Sequence, residues 1–226
     1  MKVAAIQMVS GTALDDNLRV ARELLEQAAL GGAELAVLPE YFCLMGYKDT
    51  DKLALRETAG AGVIQQFLAD AARALQMWIV GGTLPMATDA PDRVRNTTLV
   101  FDPAGACVAR YDKIHLFGFT RGTESYNESR TIVAGAQVRA IDTPFGRVGL
   151  FALTTITGNI PLQPHQIHVG YGSDIFQRTG NGQLFCRQVV ALCRLGCPCP
   201  DFAQFLLTLG QLLPGNRHAS FQFQAG

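Results

Sequence analysis

Three short apolar runs set the class of fold. They are KVAAIQM at 2–8, ELAVL at 34–38 and MWIVGG at 77–82. Strands that read as continuous apolar runs are buried on both faces, the habit of parallel sheets with covered faces. Between the runs stand two segments of helical period. Residues 14–30 place Leu14, Leu18, Ala21, Leu25 and Ala28 on one face, with Asp15 and Asp16 favouring the N-terminal dipole and Gly31-Gly32 as the stop. Residues 62–76, GVIQQFLADAARALQ, predict a second helix. Further on, 96–102 (NTTLVFD) and 106–111 (ACVARY) flank a Pro-Ala-Gly turn, and 138–142 and 146–153 flank Thr-Pro-Phe-Gly. The order β-α-β-α-β followed by hairpins predicts an α/β fold with helices on a sheet. No internal repeat and no long linker interrupts it.

The bulk numbers exclude several classes. A formal net charge of zero and a pI near 6.9 leave no electrostatic footprint for nucleic acid or an anionic membrane. No window approaches 18 consecutive apolar residues, so no membrane span is expected. The opening MKVAAIQMVS is too short for a signal-peptide core and reads as a first strand. Six irregularly placed cysteines then suggest free thiols in a reducing, cytoplasmic setting.

Charge is not spread evenly. Residues 1–150 carry 15 Lys+Arg and 17 Asp+Glu, whereas residues 151–226 carry four Arg, two Asp, no Lys and no Glu. The second part also holds nine Gln, and its apolar runs VVALCRLGC and FAQFLLTLGQLL lack a polar face. A folded domain keeps a charged solvent face. One explanation is a C-terminal part that is buried or covered by a partner. The preferred one is a tail not selected for this fold, as after a reading-frame change. Two units are therefore expected, 1–150 and a divergent 151–226, the latter poorly soluble.

Three residues are candidates for chemistry. Glu40, in VLPEYF, follows a buried strand and a proline, where α/β sheets place their ligands, and burial would raise its pKa into general-base range. Lys113, in RYDKIHLF, could offer fixed positive charge to an oxyanion. Glu128 lies in SYNESR after a Gly-rich loop. Taken singly, each has a plain alternative: a solvated loop carboxylate, a snorkelling surface lysine and a turn-surface carboxylate. His115 reads as a packed or hydrogen-bonded histidine, and Cys43 and Cys107 read as packing residues. Cys193, Cys197, Cys199 and His218 could suggest a thiolate metal site, but the spacing is not that of ordinary zinc modules, and no metal is expected.

The segments KVAAIQM, VLPEYF, GGT, NTTLVFDPAG, YDKIHLF, SYNESRTIVAGAQ and TPFGRVGL occur in one order. That series closely resembles the nitrilase superfamily of carbon–nitrogen hydrolases, most of all its amidase branch with ω-amidase and deaminated-glutathione amidase. The resemblance covers residues 1 to about 150. It implies a four-layer α-β-β-α sandwich, assembly into homo-oligomers through a helix-covered face, a small amide-type substrate, no cofactor and a Glu-Lys-Cys triad. Glu40 matches the general base, Lys113 the lysine that stabilises the tetrahedral intermediate, and Glu128 a second glutamate that positions substrate and lysine.

The resemblance breaks at the nucleophile. The family strand after G-R-V-G-L ends in a cysteine; here the positions read Phe151, Ala152, Leu153, Thr154, Thr155, with Leu153 where the cysteine belongs. Leucine has no nucleophilic atom. A neighbouring threonine would need a strong base and would sit on the other face of the strand. As written, the chain is expected to be inactive; the alternative is a non-catalytic nitrilase-fold binding or scaffold protein.

Overall fold

The computed structural model describes residues 2–121 and 123–153, together with strand segments at 177–178, 184–185, 189–194 and 219–224. Strand β1 (Lys2–Gln7) leads to helix α1 (Leu14–Leu30), β2 (Leu35–Val37), helix α2 (Val63–Leu75) and β3 (Trp78–Val80). Then come β4 (Leu84–Ala87), β5 (Val94–Phe101), β6 (Cys107–Asp112), β7 (Gly118–Arg121), β8 (Glu124–Asn127), β9 (Arg139–Thr143) and β10 (Gly146–Leu153). The remaining segments are β11 (Gln177–Arg178), β12 (Leu184–Phe185), β13 (Val189–Arg194) and β14 (Ala219–Gln224).

Strands β1, β2 and β3 run parallel, as two βαβ crossovers require. They form the centre of a sheet ordered β14-β1-β2-β3-β5-β4, with β6 on β5. A second sheet is ordered β13-β10-β9. Both helices cover one face of the large sheet. There Leu18, Ala21, Leu25 and Ala28 of α1 and Ile64, Leu68 and Ala72 of α2 close on Ala4, Ile6, Ala36 and Ile79. The other face holds Leu35, Val37, Val80, Val100 and Tyr111 against Val148, Leu150 and Ala152 of the second sheet. Sheet stacks on sheet, so the described residues supply three layers, α-β-β, of the expected four. The unit expected over 151–226 lies largely outside the described residues.

Two strand groups depart from the sequence reading. Residues 84–87, LPMA, form β4 in spite of Pro85. The strand is at the sheet's edge, pairing with β5 on one side and bridging only Glu57 on the other through the Pro85 carbonyl and Ala87 N–H, so the missing proline N–H costs no ladder bond. The loop expected before Glu128 contains the β7–β8 hairpin. In α1 the buried stripe also includes Asn17, whose side chain bonds the Gly11 backbone and donates to the Cys43 carbonyl at 2.9 Å.

The turn after β3 fixes the loop after β2. Gly82 has φ +55°, and a Cβ there would sit 2.1 Å from the Pro39 carbonyl oxygen. Gly82→Ala should cost on the order of 3 kcal/mol, read from urea unfolding, because it strains the backbone and pushes Pro39 and Glu40 away.

Candidate active site

Glu40 leaves the carboxyl end of β2, where parallel sheets open their crevice. Its neighbour Tyr41 adopts φ 54°, rare for a side chain of this size, and its N–H donates to Thr83 Oγ1 at 2.9 Å. Strain of that kind persists where the surroundings over-determine it. Lys113 follows β6; its N–H donates to the Asn96 carbonyl at 2.8 Å, and its own carbonyl accepts from Gly135 N–H at 2.8 Å. Gly135 lies so close that a Cβ would meet the Asp112 carbonyl at 2.1 Å. Glu128 opens a short 3₁₀ turn, Glu128–Arg130, capped by the Asn127 side chain. Its N–H donates to the Phe117 carbonyl at 2.9 Å, and its Oε2 accepts from Phe117 N–H at 2.8 Å.

The three candidates meet in the interior. Lys113 Nζ stands 3.2 Å from Glu40 Oε1 and 2.9 Å from Glu128 Oε2, with all three side chains buried. The surface alternatives for these residues do not describe this chain. One ammonium therefore serves two carboxylates, and it can neutralise only one of them. Burial is the main cause that raises Glu40 from 4.5 to about 7; Lys113 opposes the rise and the like charge of Glu128 adds to it. For Lys113, burial alone would favour the neutral amine, but Glu40 and Glu128 outweigh it and the ammonium is held above its ordinary range. Glu40 is thus partly protonated near neutral pH, with the lysine charged.

The sign of the resulting pH dependence follows. Between about 4.5 and about 7 the native Glu40 retains a proton that the unfolded chain has released. Its contribution to stability is complete below 4.5 and is lost as pH rises through about 7. Glu40→Gln should remove that slope, a change on the order of 3 kcal/mol across the window, read from urea unfolding at stepped pH.

Asn96, which the sequence marks only as the start of a strand, lies inside β5. It is buried, its side-chain amide donates to Glu40 Oε1, and its backbone carbonyl holds Lys113. The signal available was a polar residue opening an apolar strand beside the YDK segment. Asn96→Ala should cost about 1–3 kcal/mol and move the Glu40 titration upward, read by carboxyl carbon NMR.

A second network borders the cluster. Lys52 Nζ donates to Asp49 Oδ1 at 2.5 Å and to Thr131 Oγ1 at 3.1 Å, Thr131 donates to Asp49 Oδ2 at 2.6 Å, and Tyr126 OH donates to Asp49 Oδ1 at 3.2 Å. Burial would raise Asp49, but the hydrogen bonds from Lys52 and Thr131 prevail and hold it below its ordinary value. Lys52 also lies 5.7 Å from the Tyr41 ring centroid, which ties the 47–52 loop to the backbone beside Glu40.

Other residues fall outside the cluster. Cys43 is fully buried, and burial pushes its thiol up to about 12, so it is an inert packing residue. Cys107, expected to pack, and His115, expected to be packed or hydrogen-bonded, are both exposed. Strand β6 is covered on one side only by β5, and Cys107 stands at its outer start. His115 sits in the connection just beyond that strand. Leu153 is the last residue of β10, and its backbone pairs with Val189 of β13. Cys193 belongs to β13, while Thr154, Thr155, Cys197, Cys199 and His218 lie outside the described residues. Among the described residues no group of three or more His, Cys, Asp or Glu could hold a metal, and no helix is long and apolar enough to cross a membrane.

A sheet stack with helices on one face and a buried Glu-Lys-Glu cluster at the strand ends is an arrangement suited to acyl transfer. The carbon-nitrogen hydrolase family model matches residues 2–156, and the chain belongs to that family. It is 38% identical over 152 residues to a deaminated glutathione amidase of Synechocystis sp., covering 65% of this chain and 55% of that protein. It is 32% identical over 151 residues to human omega-amidase NIT2, covering 66% and 53%. The chain therefore spans about half the length of the curated relatives it matches.

Solved structures agree on the fold. Caenorhabditis elegans NitFhit superposes with a TM-score of 0.57 at 27% identity, covering 65% of this chain and 36% of that one. Saccharomyces cerevisiae Nit3, of branch 10 of the nitrilase superfamily, gives 0.56 at 27% identity, covering 65% and 53%. The fold is the nitrilase-type α/β fold. An amidase of Nesterenkonia sp. AN1, seen after Michael addition of acrylamide at its active site cysteine, shares that fold at 21% identity and a TM-score of 0.54, covering 67% and 56%.

Proposed function

We propose that residues 1–150 are the amino-terminal part of a hydrolase that cleaves the C–N bond of a small amide, and that this chain lacks the nucleophile. The observation that carries the reading is the buried Lys113 between Glu40 and Glu128. In the intact chemistry a cysteine thiol, deprotonated by Glu40, attacks the amide carbon. The oxyanion that forms draws on the charge of Lys113, which Glu128 holds in place. The C–N bond breaks, Glu40 returns the proton to departing ammonia, and a thioester remains. Water then gives its proton to Glu40 and attacks the thioester. The C–S bond breaks, the acid leaves, and the thiol regains its proton.

Leu153 takes the cysteine's place in this sequence, and the tail 151–226 replaces the segment that would carry it. The match to the family ends at residue 156, within a few residues of the point where charged side chains become scarce. A change of reading frame near Phe151 accounts for both, and for the lost cysteine. A cytoplasmic location and homo-oligomers through the helix-covered face belong to the same reading. The amidase relatives support a small amide as the substrate class. The second reading is a non-catalytic nitrilase-fold binding protein, favoured by a buried ion-pair cluster that is formed entirely by residues 40–128.

Ammonia release from small primary amides is the test. The chain is expected to release none above background. Turnover by the chain that disappears in Glu40→Gln would show that the nucleophile is present after all.

A further inference from the structure

Beside the end of β6 lies a cavity of about 310 Å³, lined by Arg95, Arg110, Asp112, Ala136, Gln137 and Arg139. Its size sits at the lower end of the range for small-molecule pockets. Three guanidinium groups share one carboxylate, leaving excess positive charge.

The carboxylate is already occupied. Asp112 Oδ1 accepts from Arg110 Nε at 2.9 Å and from Thr97 Oγ1 at 2.6 Å, while Oδ2 accepts from Arg110 Nη2 at 3.3 Å and stands 3.7 Å from Arg95 Nε. Arg95 is also fixed by donating from Nη1 to the Ala134 carbonyl at 2.7 Å. Two guanidinium groups are therefore oriented before any ligand arrives, which reduces the ordering cost of binding. Arg139, from β9, pairs through its backbone with Leu150, but its side chain has no hydrogen bond or ion pair among the described residues. The fork of an unpaired arginine is built to grip carboxylate or phosphate oxygens with two parallel bonds.

We propose that this cavity is a binding site for a small organic or inorganic anion bearing a phosphate or carboxylate group, held by Arg139 with Arg95 and Arg110. The site is independent of the hydrolase chemistry. It is composed of residues from β5, β6, β9 and the segment before β9, and it uses none of Glu40, Lys113 or Glu128.

Titration of the intact chain with sodium phosphate and, separately, sodium succinate at fixed ionic strength tests it, read from the arginine Nε–H NMR signals. Saturable shifts of Arg95, Arg110 and Arg139 are expected with at least one of the two anions, and the stronger response identifies which head group the site takes. Arg139→Ala should weaken binding at least tenfold. Arg139→Lys should recover part of it, since charge returns without the fork. Arg139 is exposed and makes no contact whose loss would unfold the chain. Shifts that grow linearly without saturating, that sodium chloride reproduces, or that persist unchanged in Arg139→Ala would overturn the proposal.

Discussion

A hybrid that keeps residues 1–150 and takes its remaining sequence from the Synechocystis deaminated glutathione amidase should release ammonia from small primary amides. The expected gain over the chain itself is at least about 10⁴-fold, the scale on which a covalent nucleophile matters. The reason lies in what the first half already holds. Glu40, Lys113 and Glu128 are assembled within 3.2 Å contacts, and Glu40 titrates near 7, where a group can both take and return a proton. What the hybrid adds is a thiol at position 153 and the segment around it. Glu40→Gln in the hybrid should lower turnover by about 10²–10⁴-fold. Leu153→Cys alone should recover little, because the residues beyond it still differ from the family. A hybrid that folds and binds substrate but releases no ammonia would refute the hydrolase reading.

Lys113→Met should destabilise the chain by about 3–5 kcal/mol at pH 7.5, measured by denaturant unfolding. The residue is fully buried, and its removal leaves two carboxylates facing one another without a cation. The methionine fills most of the space, so the loss reports charge more than volume. Without the cation that opposes its rise, Glu40 would then hold its proton in the native state still more tightly than in the unfolded chain. The deficit should accordingly shrink as pH is lowered to about 5, a recovery that simple loss of packing would not produce. A deficit independent of pH would mean that the ammonium contributes through its methylenes.

Much of this was legible because local patterns matched the fold. The stripe at 14–30 ended at the stated residues, and the apolar runs became the parallel strands. The order of segments identified Glu40, Lys113 and Glu128 as one group. Their burial was not legible. Glu40 and Lys113 are 73 residues apart, and only packing of β2, β5 and β6 into one sheet removes both from water. Asn96 escaped notice for the same reason: its partners, Glu40 and Lys113, are distant in sequence and its residue type is unremarkable in a loop-to-strand boundary. Pro85 concealed β4, since a proline argues against a strand except at an edge, and edges are a property of the assembled sheet. His115 and Cys107 are exposed because a strand paired on one side offers little cover to residues at its ends.

The ratio of one lysine to two glutamates has a consequence for protons. A carboxylate fully matched by its own cation would stay ionised at pH 7 and store no proton. Here Glu40 works as a store for one proton near neutral pH, while Lys113 keeps its charge. Such a store is indifferent to whether a nucleophile stands beside it. The three side chains that make it are all buried in this chain, so the store is a property of residues 40–128 alone.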